Sequence, residues 1–133
     1  MFCTPPVAPG QASILIVEDE VVIAMDIALQ LRALGHHPLG PATRGEQAIE
    51  LARQWRPDLV LMDIHLGSAM DGITAAATIA AETGAKIVFL SAFDADANRT
   101  RAQAVGPAGY LSKPFETDDL QRAVAAALQM PST

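Results

Sequence analysis

Charged and hydroxyl side chains follow short apolar segments at four places in this sequence. Glu18 and Asp19 come directly after the first segment, Asp63 ends a second, Ser91 a third, and Lys113 follows a fourth. Short continuous apolar runs of this kind are typical of strands buried on both faces. In open α/β sheets, ligands bind at the carboxyl ends of the strands. We therefore expect these five side chains to meet at one edge of a sheet.

Three carboxylates beside one ammonium predict a particular chemistry. Clustered carboxylates repel one another unless a cation lies between them, and Mg²⁺ (or Mn²⁺) accepts carboxylates together with water and phosphate oxygens. The Asp63 carboxylate can itself attack phosphorus and form an aspartyl phosphate. Lys113 and the metal would neutralise the transferring group, and Ser91 would donate a hydrogen bond to it. The pattern predicts metal-dependent phosphorylation of an aspartate.

Each of these residues also has a simpler interpretation. Asp63 could cap the loop or helix that follows, since Asp is a common capping residue. The acids after the first strand could simply be stabilised by the positive end of the dipole of the helix that follows. Lys113 could be an ordinary solvated lysine. The coincidence of suitable side chains at four strand ends favours a functional site over these separate interpretations.

Five apolar segments alternate with five amphipathic ones, which predicts a parallel α/β sheet covered by helices on both faces. The second strand is weak and is expected at a sheet edge. We expect a disordered, proline-rich tail over residues 1–11 and one domain over residues 12–133. The predicted strands cover residues 13–17, 36–40, 58–63, 86–92 and 109–112, and the predicted helices cover 21–34, 43–55, 71–83, 94–104 and 116–130.

The first predicted helix carries two apolar stripes. One is expected to face the sheet because its residues recur at helical spacing. The other is either a set of scattered surface residues or a docking patch for a partner. The inner stripe comprises Ile23, Ile27, Leu31 and Leu34, and the outer stripe comprises Val22, Met25 and Leu29.

Composition excludes several classes of protein. The chain has 133 residues, half of them hydrophobic, and a net charge of −6, which argues against nucleic acid as a partner. No apolar run approaches the ~20 residues that span a bilayer, so we expect no membrane association and a cytoplasmic location. A single cysteine, Cys3, excludes an internal disulfide and a cysteine-built metal site.

The motifs in their order resemble the receiver domain of bacterial two-component response regulators, over about residues 13–130. The resemblance implies a flavodoxin-like (βα)5 fold with strand order 2-1-3-4-5, a signalling domain rather than an enzyme. The motifs are Ile14-Leu15-Ile16-Val17-Glu18-Asp19-Glu20, Leu59-Val60-Leu61-Met62-Asp63-Ile64, Met70-Asp71-Gly72, Leu90-Ser91-Ala92 and Gly109-Tyr110-Leu111-Ser112-Lys113-Pro114-Phe115.

The resemblance further implies that Asp63 accepts a phosphoryl group from a histidine kinase or a histidine phosphotransfer protein. It implies Mg²⁺ at Asp19 and Asp63, with Glu18 reaching the ion through water and the backbone carbonyl of His65 as a further ligand. It assigns Lys113 and Ser91 to the catalytic set.

The conformational switch implied by the resemblance consists of Ser91 and Tyr110. A cis peptide bond is expected at Lys113-Pro114, both from the resemblance and because Lys113 must turn back over the site. With no output domain in the sequence, the protein is expected to act through a downstream protein target or a phosphorelay.

Two departures from the family pattern concern the site. The loop after Asp63 is one residue longer than usual and lacks a Met-Pro pair, and Glu18 stands where Asp is commoner.

The rival interpretations are a phosphorylation-independent scaffold, a flavin-binding redox protein of the same fold, and a hydrolase. The acidic segment after the first strand argues against a flavin phosphate, and no Gly-x-Ser-x-Gly elbow is present.

Overall fold

The computed structural model describes residues 11–67, 69–91 and 96–129. Within these ranges strands and helices alternate, as the sequence predicts. The elements are β1 (Ser13–Val17), α1 (Val21–Ala33), β2 (His37–Ala42), α2 (Gly45–Trp55), β3 (Leu59–Asp63), α3 (Gly72–Thr83), β4 (Lys86–Ser91), α4 (Asp96–Ala104), β5 (Gly109–Ser112) and α5 (Thr117–Gln129).

All five strands form one parallel sheet in the order β2-β1-β3-β4-β5, which confirms the predicted topology. Because every strand runs in the same direction, the carboxyl ends lie along one edge of the sheet. The register aligns them closely, since Asp63 pairs with Leu90 and Ser91 pairs with Ser112. The last residues of β3 and β4, Asp63 and Ser91, are thereby brought to a common edge with the residues that follow β1 and β5.

Alternate strand residues pack into two separate layers of core. Leu15 and Val60 face α2 and α3, whereas Ile16 and Leu61 face α1 and α5. Each of these side chains is at most 1% exposed, and burying one such side chain contributes about 1.5–3 kcal/mol. The two layers hold the sheet rigid from both sides, so the strand ends form a stable base for a site.

Helix α1 turns its buried face slightly away from the predicted one. Its buried residues are Ala24, Ile27 and Leu31, whereas Ile23 and Leu34 are only half-buried. The sheet-facing stripe therefore follows the spacing i, i+3, i+7: Ile27 and Leu31 are buried as predicted, and Ala24 takes the place predicted for Ile23. The small Ala24 side chain packs in the core layer between α1 and the sheet.

Several element boundaries differ from the prediction by one or two residues, and three of them have a visible local cause. Helix α2 begins at Gly45 and not at Thr43, because the Thr43 backbone N–H and hydroxyl both donate to Gln47 Oε1, at 2.9 and 3.3 Å. Helix α3 begins at Gly72, with Asp71 as its N-cap. Strand β2 continues to Ala42 through a cis Gly40-Pro41 bond, two residues beyond its predicted end at Gly40.

Several predictions fall on residues outside the described ranges. They are the proline-rich tail up to residue 10, the last residue of the fourth strand, Ala92, the start of the fourth helix at residues 94–95 and the last residue of the fifth helix, Met130. None of the helices in the described part of the chain is both long and apolar enough to cross a membrane.

Candidate functional site

Asp63 is the last residue of β3 and is buried at the carboxyl edge of the sheet, only 3% exposed. Its Oδ1 accepts a hydrogen bond from the backbone N–H of His65 at 3.0 Å. Its Oδ2 accepts from Lys113 Nζ at 3.2 Å. The carboxylate is therefore held by two donors from different parts of the chain, and it is fixed in orientation.

Gly72 packs directly behind Asp63. A Cβ atom on Gly72 would lie 1.9 Å from the backbone carbonyl oxygen of Asp63, a contact that no side chain could make. The Gly72 N–H also donates to the Ile64 carbonyl at 3.1 Å. Gly72 thus allows α3 to begin against the end of β3. The sequence placed it in a motif but gave no signal of this contact.

Glu18 and Lys113 form a buried ion pair beside Asp63. Glu18 is fully buried, and its Oε1 accepts from Lys113 Nζ at 2.5 Å. The Glu18 Oε2 also accepts from the backbone N–H of Glu20 at 3.3 Å. The ammonium therefore bridges two carboxylates, those of Glu18 and Asp63.

The chain holds Lys113 in place through its backbone. The Lys113 N–H donates to the Ser91 carbonyl at 2.7 Å, which extends the pairing between β4 and β5 past the last residue of β5. The Lys113-Pro114 bond is cis, as predicted. The side chain of Lys113 is 17% exposed and lies between the ends of three strands.

The electrostatics of the site reflect burial together with an excess of negative charge. Burial is the largest cause that raises the pKa of Glu18, which reaches about 7, and the neighbouring Asp63 raises it further. The hydrogen bond from Lys113 acts in the opposite direction. Burial alone would lower the pKa of Lys113, but the hydrogen bond to Glu18 and the charge of Asp63 raise it above its ordinary value. Lys113 therefore stays protonated at neutral pH, while Glu18 holds its proton more tightly than an exposed glutamate.

Asp19 completes a group of three carboxylates. Its side chain is exposed, and its Oδ2 accepts from the backbone N–H of Gly67 at 3.0 Å. One carboxylate oxygen from each of Glu18, Asp19 and Asp63 lies within 4.8 Å of the others. Because hard divalent cations prefer such oxygen ligands, this donor set fits Mg²⁺ or Mn²⁺. The structure thus brings together the three carboxylates that the sequence singled out.

Ser91 and Tyr110 lie on adjacent strands beyond this cluster. Ser91 ends β4 and is half-buried. The Tyr110 ring packs against Phe89, with ring centroids 5.9 Å apart, and the Arg99 guanidinium lies 5.0 Å from the Tyr110 centroid. The Tyr110 hydroxyl is buried and has no hydrogen-bond partner in the described part of the chain, and burial raises its pKa. The switch role of this pair stays a prediction.

The outer stripe of α1 is exposed as predicted. Val22 is 80% exposed, Met25 59% and Leu29 63%, and the sequence analysis missed a fourth member, Val21, at 52%. Among the described residues these four are the exposed large hydrophobic side chains. Such a cluster is uncommon on a monomer surface and marks an interaction site more often than a single exposed residue does. The docking role stays a prediction.

Comparison with known proteins agrees with this geometry. Residues 14–125 match the family described as the response regulator receiver domain. The transcriptional regulatory protein PdtaR of Mycobacterium tuberculosis is 44% identical over 115 residues, which cover 86% of this chain and 56% of PdtaR. The chain spans about half the length of the curated relatives it matches. The expectation that the receiver domain stands alone stays a prediction.

Solved structures show the same likeness. The signal receiver domain of a modulated diguanylate cyclase from Desulfovibrio desulfuricans G20 has a TM-score of 0.84 and 38% identity, covering 89% of this chain and 94% of that one. The receiver domain of the sensor histidine kinase PA1611 from Pseudomonas aeruginosa PAO1, with a magnesium ion coordinated in its active-site cleft, has a TM-score of 0.80 and 32% identity, covering 90% and 99%. This chain therefore belongs to the response regulator receiver domain family, the phospho-accepting signalling modules of two-component systems.

Proposed function

We propose that this chain accepts a phosphoryl group on Asp63 from a histidine kinase or a histidine phosphotransfer protein, in a reaction that depends on Mg²⁺ (or Mn²⁺). The observation that carries the proposal is the buried Asp63 carboxylate, which lies against the Lys113 ammonium and within a cluster of three carboxylates. A carboxylate placed in this way is both oriented and provided with positive charge. Those are the two requirements of a phosphoryl acceptor.

The metal would be held by Glu18, Asp19 and Asp63, with the backbone carbonyl of His65 as a further ligand. Glu18 is longer than the aspartate more common at its position, and it is already engaged by Lys113, which supports a contact through water. The bound ion would supply positive charge to the oxygens of the transferring phosphoryl group. The magnesium ion in the receiver domain of PA1611 supports this assignment by similarity.

In the proposed transfer, a carboxylate oxygen of Asp63 forms a bond to phosphorus and the phosphorus–nitrogen bond to the donor histidine breaks. The donor imidazole keeps the electron pair and takes up a proton from solvent. The Lys113 ammonium, 3.2 Å from Asp63 Oδ2, would pair with a phosphoryl oxygen in the product. The raised pKa of Lys113 supports this role, since it keeps the side chain protonated. The N–H of His65 holds the other carboxylate oxygen in place.

For the response to phosphorylation, we propose that Ser91 and Tyr110 act together. The Ser91 hydroxyl would donate to the phosphoryl group, and the Tyr110 ring would shift into the space that it leaves. The buried Tyr110 hydroxyl supports a second arrangement of this side chain, since it has no partner in the described part of the chain. The two arrangements would be alternative packings whose populations phosphorylation changes.

For the partner, we propose that the exposed stripe Val22, Met25 and Leu29 docks the phosphodonor. Helix α1 begins three residues after Glu18, so the exposed stripe at the start of this helix lies beside the carboxylate cluster. A donor histidine must come within reach of Asp63, and its protein must therefore contact this neighbourhood. The phosphorylated protein would then act on a downstream protein or pass its phosphoryl group on in a relay.

The alternative is a scaffold that binds partners without phosphorylation. Competent residue types at all the expected positions, and the ion pair of Lys113 with Glu18 and Asp63, favour the phosphorylated receiver.

The phosphorylated receiver and the scaffold are distinguished by incubating the protein with acetyl phosphate and MgCl2 and then measuring its intact mass. We expect the addition of one phosphoryl group, blocked by EDTA and by Asp63→Asn. Asp26→Asn, an exposed carboxylate on α1, is the matched control and should label normally.

A further inference from the structure

We propose that Gly67 is a positioning residue for Asp19 in the metal site, an inference that rests on the proposed function. The contact is direct, because the backbone N–H of Gly67 donates to Asp19 Oδ2 at 3.0 Å. Asp19 is the exposed member of the three carboxylates, whereas Glu18 and Asp63 are buried. A buried carboxylate is held by its surroundings, but an exposed one needs a tether to keep a single orientation.

Steric evidence supports the same role for Gly67. A Cβ atom on Gly67 would lie 3.0 Å from Asp19 Oδ2. Apart from its chain neighbours, no other heavy atom of the described residues would come within 4 Å of that Cβ. Gly67 does not have a positive φ, so its backbone would accept an alanine without strain. The space left by the missing side chain therefore lies directly against the carboxylate of Asp19.

The bond also joins two separate segments of the site. Gly67 lies in the loop between β3 and α3, four residues after Asp63, and Asp19 follows β1. This loop is the one that departs in length from the family pattern. Groups that hydrogen-bond to a metal ligand fix its orientation, and their loss typically weakens metal binding by about 10–100-fold. We infer that the loop uses Gly67 to orient Asp19 toward the ion.

The test is a Mg²⁺ titration of the whole chain followed by amide chemical shifts in NMR spectra. Alanine keeps the backbone N–H, but its Cβ would push Asp19 Oδ2 away from it, so we expect Gly67→Ala to weaken this hydrogen bond and to raise the dissociation constant for Mg²⁺ about tenfold. Gly109→Ala is the matched control, since its Cβ would meet only Val88 Cγ2, at an ordinary 3.8 Å. In the metal-free protein, Asp19→Ala should move the amide proton of Gly67 upfield, because its charged acceptor is lost.

A double-mutant comparison decides whether Gly67 acts through Asp19. In the Asp19→Ala background, Gly67→Ala should weaken Mg²⁺ binding no further. The inference is overturned if Gly67→Ala leaves the affinity unchanged, or weakens it equally with and without Asp19. A wild-type protein that binds no Mg²⁺ would overturn the proposed function as well, so the two failures are distinguishable.

Discussion

Replacing Glu18 with Gln should stabilise the metal-free protein at alkaline pH while weakening its metal site. Glu18 is fully buried beside Asp63, and one ammonium, Lys113, serves both carboxylates. Burial raises the pKa of Glu18 from 4.5 to about 7. The folded state therefore binds this proton more tightly than the unfolded chain does. The resulting stabilisation is complete below pH 4.5 and is lost as the pH rises through about 7.

The size of the effect follows from the pKa. At about 1.4 kcal/mol per pH unit, ionising Glu18 in the folded state costs about 3 kcal/mol at a pH well above 7. Gln has a similar shape and no charge, so it removes this cost and leaves Lys113 paired with Asp63. We expect the variant to gain about 2–3 kcal/mol near pH 8 and under about 1 kcal/mol near pH 5.

Urea denaturation in EDTA at the two pH values measures this difference. Glu50→Gln is the matched control, since Glu50 is exposed on α2 and lies 3.8 Å from Arg53. Its effect should stay under about 1 kcal/mol, since an exposed ion pair contributes little to stability. Adding MgCl2 should stabilise the wild type more than the Glu18→Gln variant. A variant that is less stable than the wild type at alkaline pH, or equally stabilised at both pH values, would refute the electrostatic reasoning.

The remaining predictions concern the switch, the docking patch and a histidine distant from the site. Ser91→Ala should still accept phosphate from acetyl phosphate but lose most of the chemical-shift change on α4, β5 and α5; an unchanged response contradicts the switch. Met25→Lys should slow transfer from the cognate kinase and leave acetyl phosphate labelling intact, whereas equal slowing of both reactions would indicate a folding defect. His36 Nδ1 accepts from the Ala12 N–H at 3.2 Å, and burial lowers the pKa of His36. Its contribution to stability should therefore be complete above pH 6.5 and fall as the pH drops below it, and NMR titration of the His36 ring should give a midpoint below 6.5.

The fold could be predicted because each strand has a strong local pattern. Residues 14–17 and 59–62 are apolar throughout, and parallel strands with helical connections leave few topologies open. The predicted meeting of Glu18, Asp19 and Asp63 follows from that topology alone. Alternating core layers then explain why every residue of β1 and β3 is buried.

Contacts that depend on three-dimensional proximity could not be predicted. The approach of Gly72 to the carbonyl of Asp63 and the bond from Gly67 to Asp19 join residues whose spacing in the sequence carries no signal. The same holds for Arg101, whose guanidinium lies 2.9 Å from Asp71 Oδ2 at the start of α3. Glycine and arginine are common surface residues, so only the packed structure reveals what they contact.

The most direct test of the central claim is to identify the phosphorylated residue chemically. The protein is treated with acetyl phosphate and MgCl2, reduced with borohydride, which converts an aspartyl phosphate to homoserine, and mapped by peptide mass spectrometry. We expect homoserine at position 63 alone, absent when Mg²⁺ is removed with EDTA. Homoserine at another aspartate, or no conversion under conditions in which the protein is folded and binds Mg²⁺, would contradict the assignment of Asp63 as the phosphoryl acceptor.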